Sequence, residues 1–321
     1  MFSFQKEDQD CWAGLALLGV CAVLILVAMF STFPEPVQTS SVTVKYNYPV
    51  QEINISVSQG IRLLVLGLFS GIIGGMMGMG GGVVKASGLM IIFGLEVFLV
   101  RSIALITNVF TYGSAAYRYL KKNGLVIKDV AEIMIPGALL GVAAGFLLGN
   151  LLYSMWLQRL LAAFALFSGM DMLRRLYFNR NSGDAQPLVY GPEEFKKENK
   201  IKIAGAGFPM GIVMGLFGIS GGVIGVPYQR FLLKIPWKNA IANTSVTSFV
   251  ASIFAVFFAL WYEHTHGQYG VSTPIIMALW IIPGNIAGAQ AGAFLTNILP
   301  VKFIKLFYVT IMIIIGIRLF F

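Results

Sequence analysis

Long apolar runs separated by short polar breaks set the pattern of this chain. The runs at 11–30, 61–82, 102–119, 130–152, 156–177, 203–225, 240–262, 274–297 and 301–321 are each long enough for a helix to cross a hydrocarbon core about 30 Å thick, which takes about 20 residues. The polar breaks divide the chain into a leading helix (1–30), an external loop (31–60), a first membrane unit (61–178), a charged linker (179–202) and a second membrane unit (203–321). Within 31–60, Ser41–Tyr48 and Ile53–Val57 alternate with period two, which predicts a small extramembrane hairpin. The run 11–30 follows Glu7, Asp8 and Asp10, an acidic flank unlike that of a secretory signal, so it reads as a retained helix.

The two membrane units are copies of one pattern. Gly71-Ile-Ile-Gly-Gly-Met-Met-Gly-Met-Gly-Gly-Gly82 aligns with Gly211-Ile-Val-Met-Gly-Leu-Phe-Gly-Ile-Ser-Gly-Gly222 at one spacing, 140 residues. A second pair follows in the same order, Pro136-Gly-Ala-Leu-Leu-Gly-Val-Ala-Ala-Gly145 and Pro283-Gly-Asn-Ile-Ala-Gly-Ala-Gln-Ala-Gly292. One membrane unit used twice is the sequence sign of a transporter.

Charge then orients the units. Hydrophobic residues make up 57% of the chain and charged ones 12%, against roughly 25% charged in a soluble domain. With that composition, the net charge of +9 reads as cytoplasmic Lys and Arg rather than as a nucleic-acid surface. Loop 118–129 holds Arg118, Lys121, Lys122 and Lys128, and Arg174 and Arg175 precede the linker, so both read as cytoplasmic. Loop 31–60 has one lysine and 263–273 has none, only His264 and His266, so both read as external, with the N-terminus cytoplasmic. Loops 118–129 and 263–273 hold equivalent places yet fall on opposite sides, which makes the repeats inverted.

The expected fold is therefore an all-α integral membrane protein of two inverted-topology repeats plus one extra N-terminal transmembrane helix. Parity requires the chain between 61 and 101 to return to the side it left. Glycine-rich re-entrant or broken-helix hairpins meeting at mid-membrane satisfy this, and two tilted crossings have the same parity. Backbone turned at membrane depth is tolerated only when buried in protein or lining a cavity. A half-helix starting near 80–84 or 220–224 would aim its free N–H groups and positive dipole end at the membrane centre, where an anion fits. Gly78, Gly80, Gly81 and Gly82, with Gly218, Ser220, Gly221 and Gly222, are accordingly candidate substrate contacts. Small-residue helix packing is the competing explanation for glycines at this spacing, and it is the preferred one for the Pro-Gly segments. No Gly-Lys-Ser/Thr follows either turn, so neither is a phosphate loop.

These paired elements, Gly-Met-Gly-Gly-Gly82 and Gly218-Ile-Ser-Gly-Gly-Val-Ile-Gly-Val-Pro227 with the two Pro-Gly segments, resemble the TauE/SafE family of sulfite and organosulfonate exporters. The resemblance covers about 61–321 and implies movement of small sulfur-containing anions such as sulfite or sulfoacetate. The first copy departs from the pattern, with Lys85, Ala86 and Ser87 opposite Gly225, Val226 and Pro227.

Polar residues inside the apolar runs complete the candidate site. Lys85 falls beside the first turn, and an intramembrane lysine costs roughly 3 kcal/mol to insert, which makes it a functional candidate. Its structural alternative is pairing with Glu96 or reaching an interface. Thr107 and Asn108, near Tyr112 and Ser114, fall opposite Thr247 and Ser248, which share a helix with Asn243, Thr244 and Ser245. Neutral donors suit a sulfonate, whose oxygens accept several hydrogen bonds. Bonds between helices are the alternative use of such residues. Tyr228, Gln229, Asn285 and Gln290 rank lower, and Asp171 is expected to pair with Arg175 four residues on. No carboxylate falls near the expected centre, and none is required: one negative charge leaving a negative-inside cell gains ~2.3 kcal/mol per 100 mV, roughly a fifty-fold gradient.

The leading expectation is thus a secondary transporter, exporting small sulfur-containing anions from the cell across the plasma membrane, with no cofactor and no metal. A carrier or channel for another small anion, such as a carboxylate, is the alternative, distinguished by counterflow and saturation. A membrane-embedded enzyme stands far behind, because no Ser-His-Asp, His-Glu-x-x-His or paired intramembrane carboxylate pattern is present.

Overall fold

The computed structural model describes residues 39–42, 50–53, 55–77, 80–121, 125–178, 200–233, 235–266, 270–299 and 301–320. The expected N-terminal helix, Gly78, most of the linker, and the side chains of Arg175 and His266 lie outside the described residues. Two short strands, β1 (Thr39–Val42) and β2 (Val50–Ile53), pair antiparallel with Val42 opposite Val50. They sit a few residues earlier than the alternation suggested, because the residues from Val57 onward enter the first helix.

All other described elements are helices. The first unit contains α1 (Val57–Met77), α2 (Gly82–Phe93), α3 (Val97–Lys121), α4 (Lys128–Leu151) and α5 (Ser154–Phe178). The second contains α6 (Lys200–Phe217), α7 (Gly222–Leu232), α8 (Trp237–His266), α9 (Ser272–Ile298) and α10 (Val301–Phe320). Five of these helices are long and apolar enough to cross a membrane, among them α3, α4 and α8. The chain is a multi-pass integral membrane protein.

The apolar runs 61–82 and 203–225 are each broken at their glycines. One helix ends at Met77 and the next begins at Gly82; the other break falls between Phe217 and Gly222. α2 has 12 residues and α7 has 11, so at 1.5 Å per residue each reaches under about 18 Å, too little to span ~30 Å.

The ten helices interlock by exchange. α1 packs chiefly on α9, and α6 chiefly on α4, so each unit's first helix lies against the other unit's Pro-Gly helix. The remaining large contacts, α3 with α8 and α5 with α10, each join a helix to its own counterpart, and α4 with α8 is matched by α9 with α3. Exchanging the two units leaves this set of partners unchanged. The glycines explain the exchange. A methyl group on Gly67, Gly71 or Gly75 would strike backbone carbonyls of α9, and one on Gly284, Gly288 or Gly292 would strike those of α1. Gly207, Gly211 and Gly215 face α4 in the same way, answered by Gly137, Gly141 and Gly145 facing α6. Close approach through small residues drives helix association where lipid is as apolar as leucine. The Pro-Gly segments are therefore packing surfaces.

Candidate functional site

Both glycine breaks lie at the heart of this assembly, and they touch. A Cβ on Gly82 would lie 2.6 Å from the backbone nitrogen of Ser220. The turns are tight because glycine supplies positive φ at three points: Gly80 (72°), Gly81 (60°) and Gly218 (69°). At Gly81 no other residue fits, since its Cβ would overlap the Ser70 carbonyl.

The paired turns have two unlike faces. Toward α10 they line a small apolar cavity with Ile73, Val83, Val84, Val223 and Met312. Toward α3 they meet a buried polar network. Lys85, in the first turn of α2, is fully buried and its Nζ donates to Asn108 Oδ1 at 2.9 Å. Asn108 lies midway along α3, and its Nδ2 donates to the Gly218 carbonyl at 3.0 Å. One amide thus joins the lysine of the first unit to the turn of the second. The Tyr112 hydroxyl, one helical turn further along α3, donates to Ser220 Oγ and occupies the space that a side chain on Gly80 would need. Ser220 Oγ in turn accepts the Gly222 backbone N–H at 3.1 Å.

Among the described residues no carboxylate pairs with Lys85, so Glu96 is not its partner. Lys85 is thus buried with a neutral amide as its hydrogen-bond partner, a costly setting for a charged group.

The other expected contacts divide. Thr107 spends its hydroxyl on its own helix, donating to Ile103 and Ala104 carbonyls, and Ser245 does likewise with Ile241. Asn243 and Thr244 belong to a separate network. Gln229 Nε2 donates to Thr244 Oγ1 at 2.7 Å, Asn243 Nδ2 donates to Gln229 Oε1 at 3.1 Å, and Asn243 Oδ1 accepts the Ile127 N–H at 2.7 Å. With Asn239 Nδ2 donating to the Leu125 carbonyl, this network ties α7 and α8 to the start of α4. Ser248 lies beside the Tyr112 hydroxyl, while Thr247 and Ser87 keep buried hydroxyls without a hydrogen-bond partner among the described residues. Asn285 Nδ2 donates to Thr111 Oγ1 at 2.6 Å, and Gln290 accepts from Arg118 at 2.7 Å.

Sequence reasoning missed Tyr112 as a bridge between the turns, and it missed Arg101 and Glu263 altogether. Arg101 is 1% exposed and Glu263 4%. The signal was available: Arg101 is the one basic residue of α3 outside its last two turns, in the same sense that singled out Lys85.

The ten described helices, packed as two interlocked units and broken at paired glycine turns beside a buried lysine, define a multi-pass membrane protein built as transporters are. Residues 63–319 match the family Sulfite exporter TauE/SafE, and the chain belongs to it. Over 286 residues it is 34% identical to the "Probable membrane transporter protein MamO" of Paramagnetospirillum magneticum, covering 82% of this chain and 45% of that protein. The MamO of Magnetospirillum gryphiswaldense is 35% identical over the same shares. The "Probable membrane transporter protein YunE" of Bacillus subtilis is 26% identical, covering 81% of this chain and 96% of that protein. The chain thus spans about half the length of the two MamO proteins and nearly all of YunE. No solved structure matches. The family is one of membrane transporters, not enzymes.

Proposed function

We propose that this protein is a secondary transporter that exports small sulfur-containing anions, such as sulfite or an organosulfonate, across the cell membrane. The observation that carries the reading is the fully buried Lys85, held by Asn108 against the second glycine turn and facing no carboxylate among the described residues. The anion sits on the polar face of the paired turns, drawn by Lys85 and completed by the Tyr112 and Ser220 hydroxyls. Gly80, Gly81, Gly82, Gly218, Gly221 and Gly222 bring backbone close enough to contact it. Charge-assisted hydrogen bonds of this kind to an oxyanion are the strong ones.

The helices α2 and α7 are re-entrant: too short to cross, they turn at the glycines and return, and the two repeats are inverted. Arg118 and Lys121 in the last turn of α3 support a cytoplasmic placement of that end. The reciprocal packing of the units supports a pseudo-two-fold relation between them. Alternating access then rocks one repeat against the other around the fixed turns, and the membrane potential drives export.

Binding of sulfite, sulfoacetate, taurine and a carboxylate to the purified full-length protein tests this, beside Lys85→Ala. Selective binding of the sulfur anions, at least tenfold weaker in Lys85→Ala, is expected. Preference for the carboxylate, or no binding, would overturn the substrate; binding indifferent to Lys85→Ala would remove the lysine from the site. Counterflow in proteoliposomes separates carrier from channel.

A further inference from the structure

A second buried cation lies close to the second glycine turn, and nothing in the reading above uses it. Arg101 enters at the second turn of α3 and is 1% exposed. Its backbone and Cγ pack on Gly218, where a Cβ would lie 2.6 Å from the Arg101 carbonyl. Gly218 is also the residue whose carbonyl receives Asn108, so Lys85, Asn108, Gly218 and Arg101 form one run of contacts.

The surroundings of the guanidinium are unusual for a structural arginine. Nη2 donates to Asn150 Oδ1 at 2.5 Å, while Nε and Nη1, both buried, have no hydrogen-bond partner. The Phe146 ring lies 4.0 Å from the guanidinium carbon, with Phe98 at 5.3 Å and Tyr262 at 5.9 Å. Gly149 leaves the room that Nη1 occupies: a Cβ there would be 2.7 Å away. The nearby Glu263 carboxylate instead accepts the Ser102 hydroxyl at 3.1 Å and forms no ion pair with Arg101.

A guanidinium presents a planar fork that matches two oxygens of one anion. Leaving two of its nitrogens idle in a low-dielectric interior is costly unless a ligand fills them at some stage. A purely structural arginine would have been closed onto Glu263. Here the carboxylate accepts the Ser102 hydroxyl instead, so the fork remains open to an anion.

We infer that Arg101, with Asn150 and the Phe146–Tyr262 aromatic wall, forms a second binding station for a small oxyanion, one step from the Lys85 centre toward the end where α4 and α8 finish. The inference deepens the transporter reading and rests on it. The anion passes between Lys85 and Arg101 along the Gly218 turn.

The test is anion binding and proteoliposome counterflow with the full-length protein, using sulfite, sulfoacetate, nitrate and acetate as probes. Arg101→Gln and Arg101→Lys are compared with Lys85→Ala, and circular dichroism with thermal unfolding identifies any variant that fails to fold. Arg101→Gln is expected to weaken oxyanion binding at this station by about 10- to 100-fold, the loss of a charge-assisted bond. Arg101→Lys, which keeps the charge without the fork, should fold and still lose nitrate and sulfite counterflow. If the wild type binds an anion through Lys85 while folded Arg101→Lys and Asn150→Ala match it in binding and counterflow, the second station is overturned and the central site stands. A wild type that binds none of the four probes overturns both. A wild type selective for acetate overturns the sulfur-anion reading alone, and the same variants then decide the station with acetate.

Discussion

The two glycine turns are copies in sequence and different objects in three dimensions. Gly81 and Gly221 hold equivalent places, yet Gly81 has φ 60° and Gly221 has φ −64°. Among the described residues, left-handed backbone falls at Gly80 and Gly81 in the first turn and at Gly218 in the second. Gly80 corresponds to Ser220, and both lie against the same hydroxyl, that of Tyr112: Gly80 makes room for it and Ser220 bonds to it. In the first turn of the helix that follows, Lys85 stands where the second copy has Gly225. Duplication thus supplies two scaffolds, and the buried polar contacts between them form where the copies differ.

The sharpest way to break that comparison is to add the same methyl to both turns. Gly81→Ala forces positive φ and a clash with the Ser70 carbonyl, a combination expected to cost about 4 kcal/mol or more and to leave little folded protein. Gly221→Ala needs no positive φ but places its methyl against Met210 Cγ, which must shift, at about 1–3 kcal/mol. Thermal unfolding in detergent reads the difference. Gly94→Ala is the control: its φ is 62° with nothing within 4 Å, so about 1–2 kcal/mol is expected from conformation alone.

Replacing Lys85 tests whether the chemical asymmetry is functional. Lys85→Met should fold with equal or greater thermal stability, because a well-packed apolar substitute for a buried charge is often neutral or stabilising. Its anion binding should fall at least tenfold. Equal affinity in the methionine variant would make the lysine a relic of divergence. On the side of the second turn, Gln229→Leu strands the Asn243 and Thr244 polar groups, at about 1–3 kcal/mol. That loss should appear in unfolding and leave the affinity of the anion site unchanged. The smallest effect is Tyr112→Phe, which removes the bond to Ser220 for about 1 kcal/mol. If it also shifts the affinity for sulfite, the hydroxyl touches the ligand as well as the turn.

Much of the fold was legible because membrane helices announce themselves by length and apolarity, and because the two glycine motifs align at a single 140-residue offset. The Pro-Gly segments read as packing surfaces for the same reason: small residues every fourth position have few other uses in an apolar helix. Their partners were not legible. Nothing local says that Gly71 faces the backbone of α9 rather than of α4.

The site was half legible. Lys85 and Asn108 stood out as polar residues in apolar runs, but their bond joins positions 23 apart, and the further bond to Gly218 depends on how the units cross. Asn243, Thr244 and Ser245 looked as eligible as Asn108, since a polar residue on a buried helix looks the same whether it meets a ligand, a neighbour or its own backbone. Arg101 was overlooked because it begins a helix, where an arginine is ordinarily at an interface; burial came from Phe146, Tyr262 and Asn150 on other helices.

By itself, then, the sequence determined a multi-pass helical protein made of one unit twice, the glycine breaks within it, and the cost of placing Lys85 in an apolar setting. Those properties are set by composition, spacing and the solvation of single residues, which act locally. Only the tertiary structure decided that the units exchange their first helices, that the turns meet at Gly82 and Ser220, and that Lys85 and Arg101 share the Gly218 turn. Those properties depend on which backbone surfaces approach most closely, and that is settled by packing between segments more than 100 residues apart.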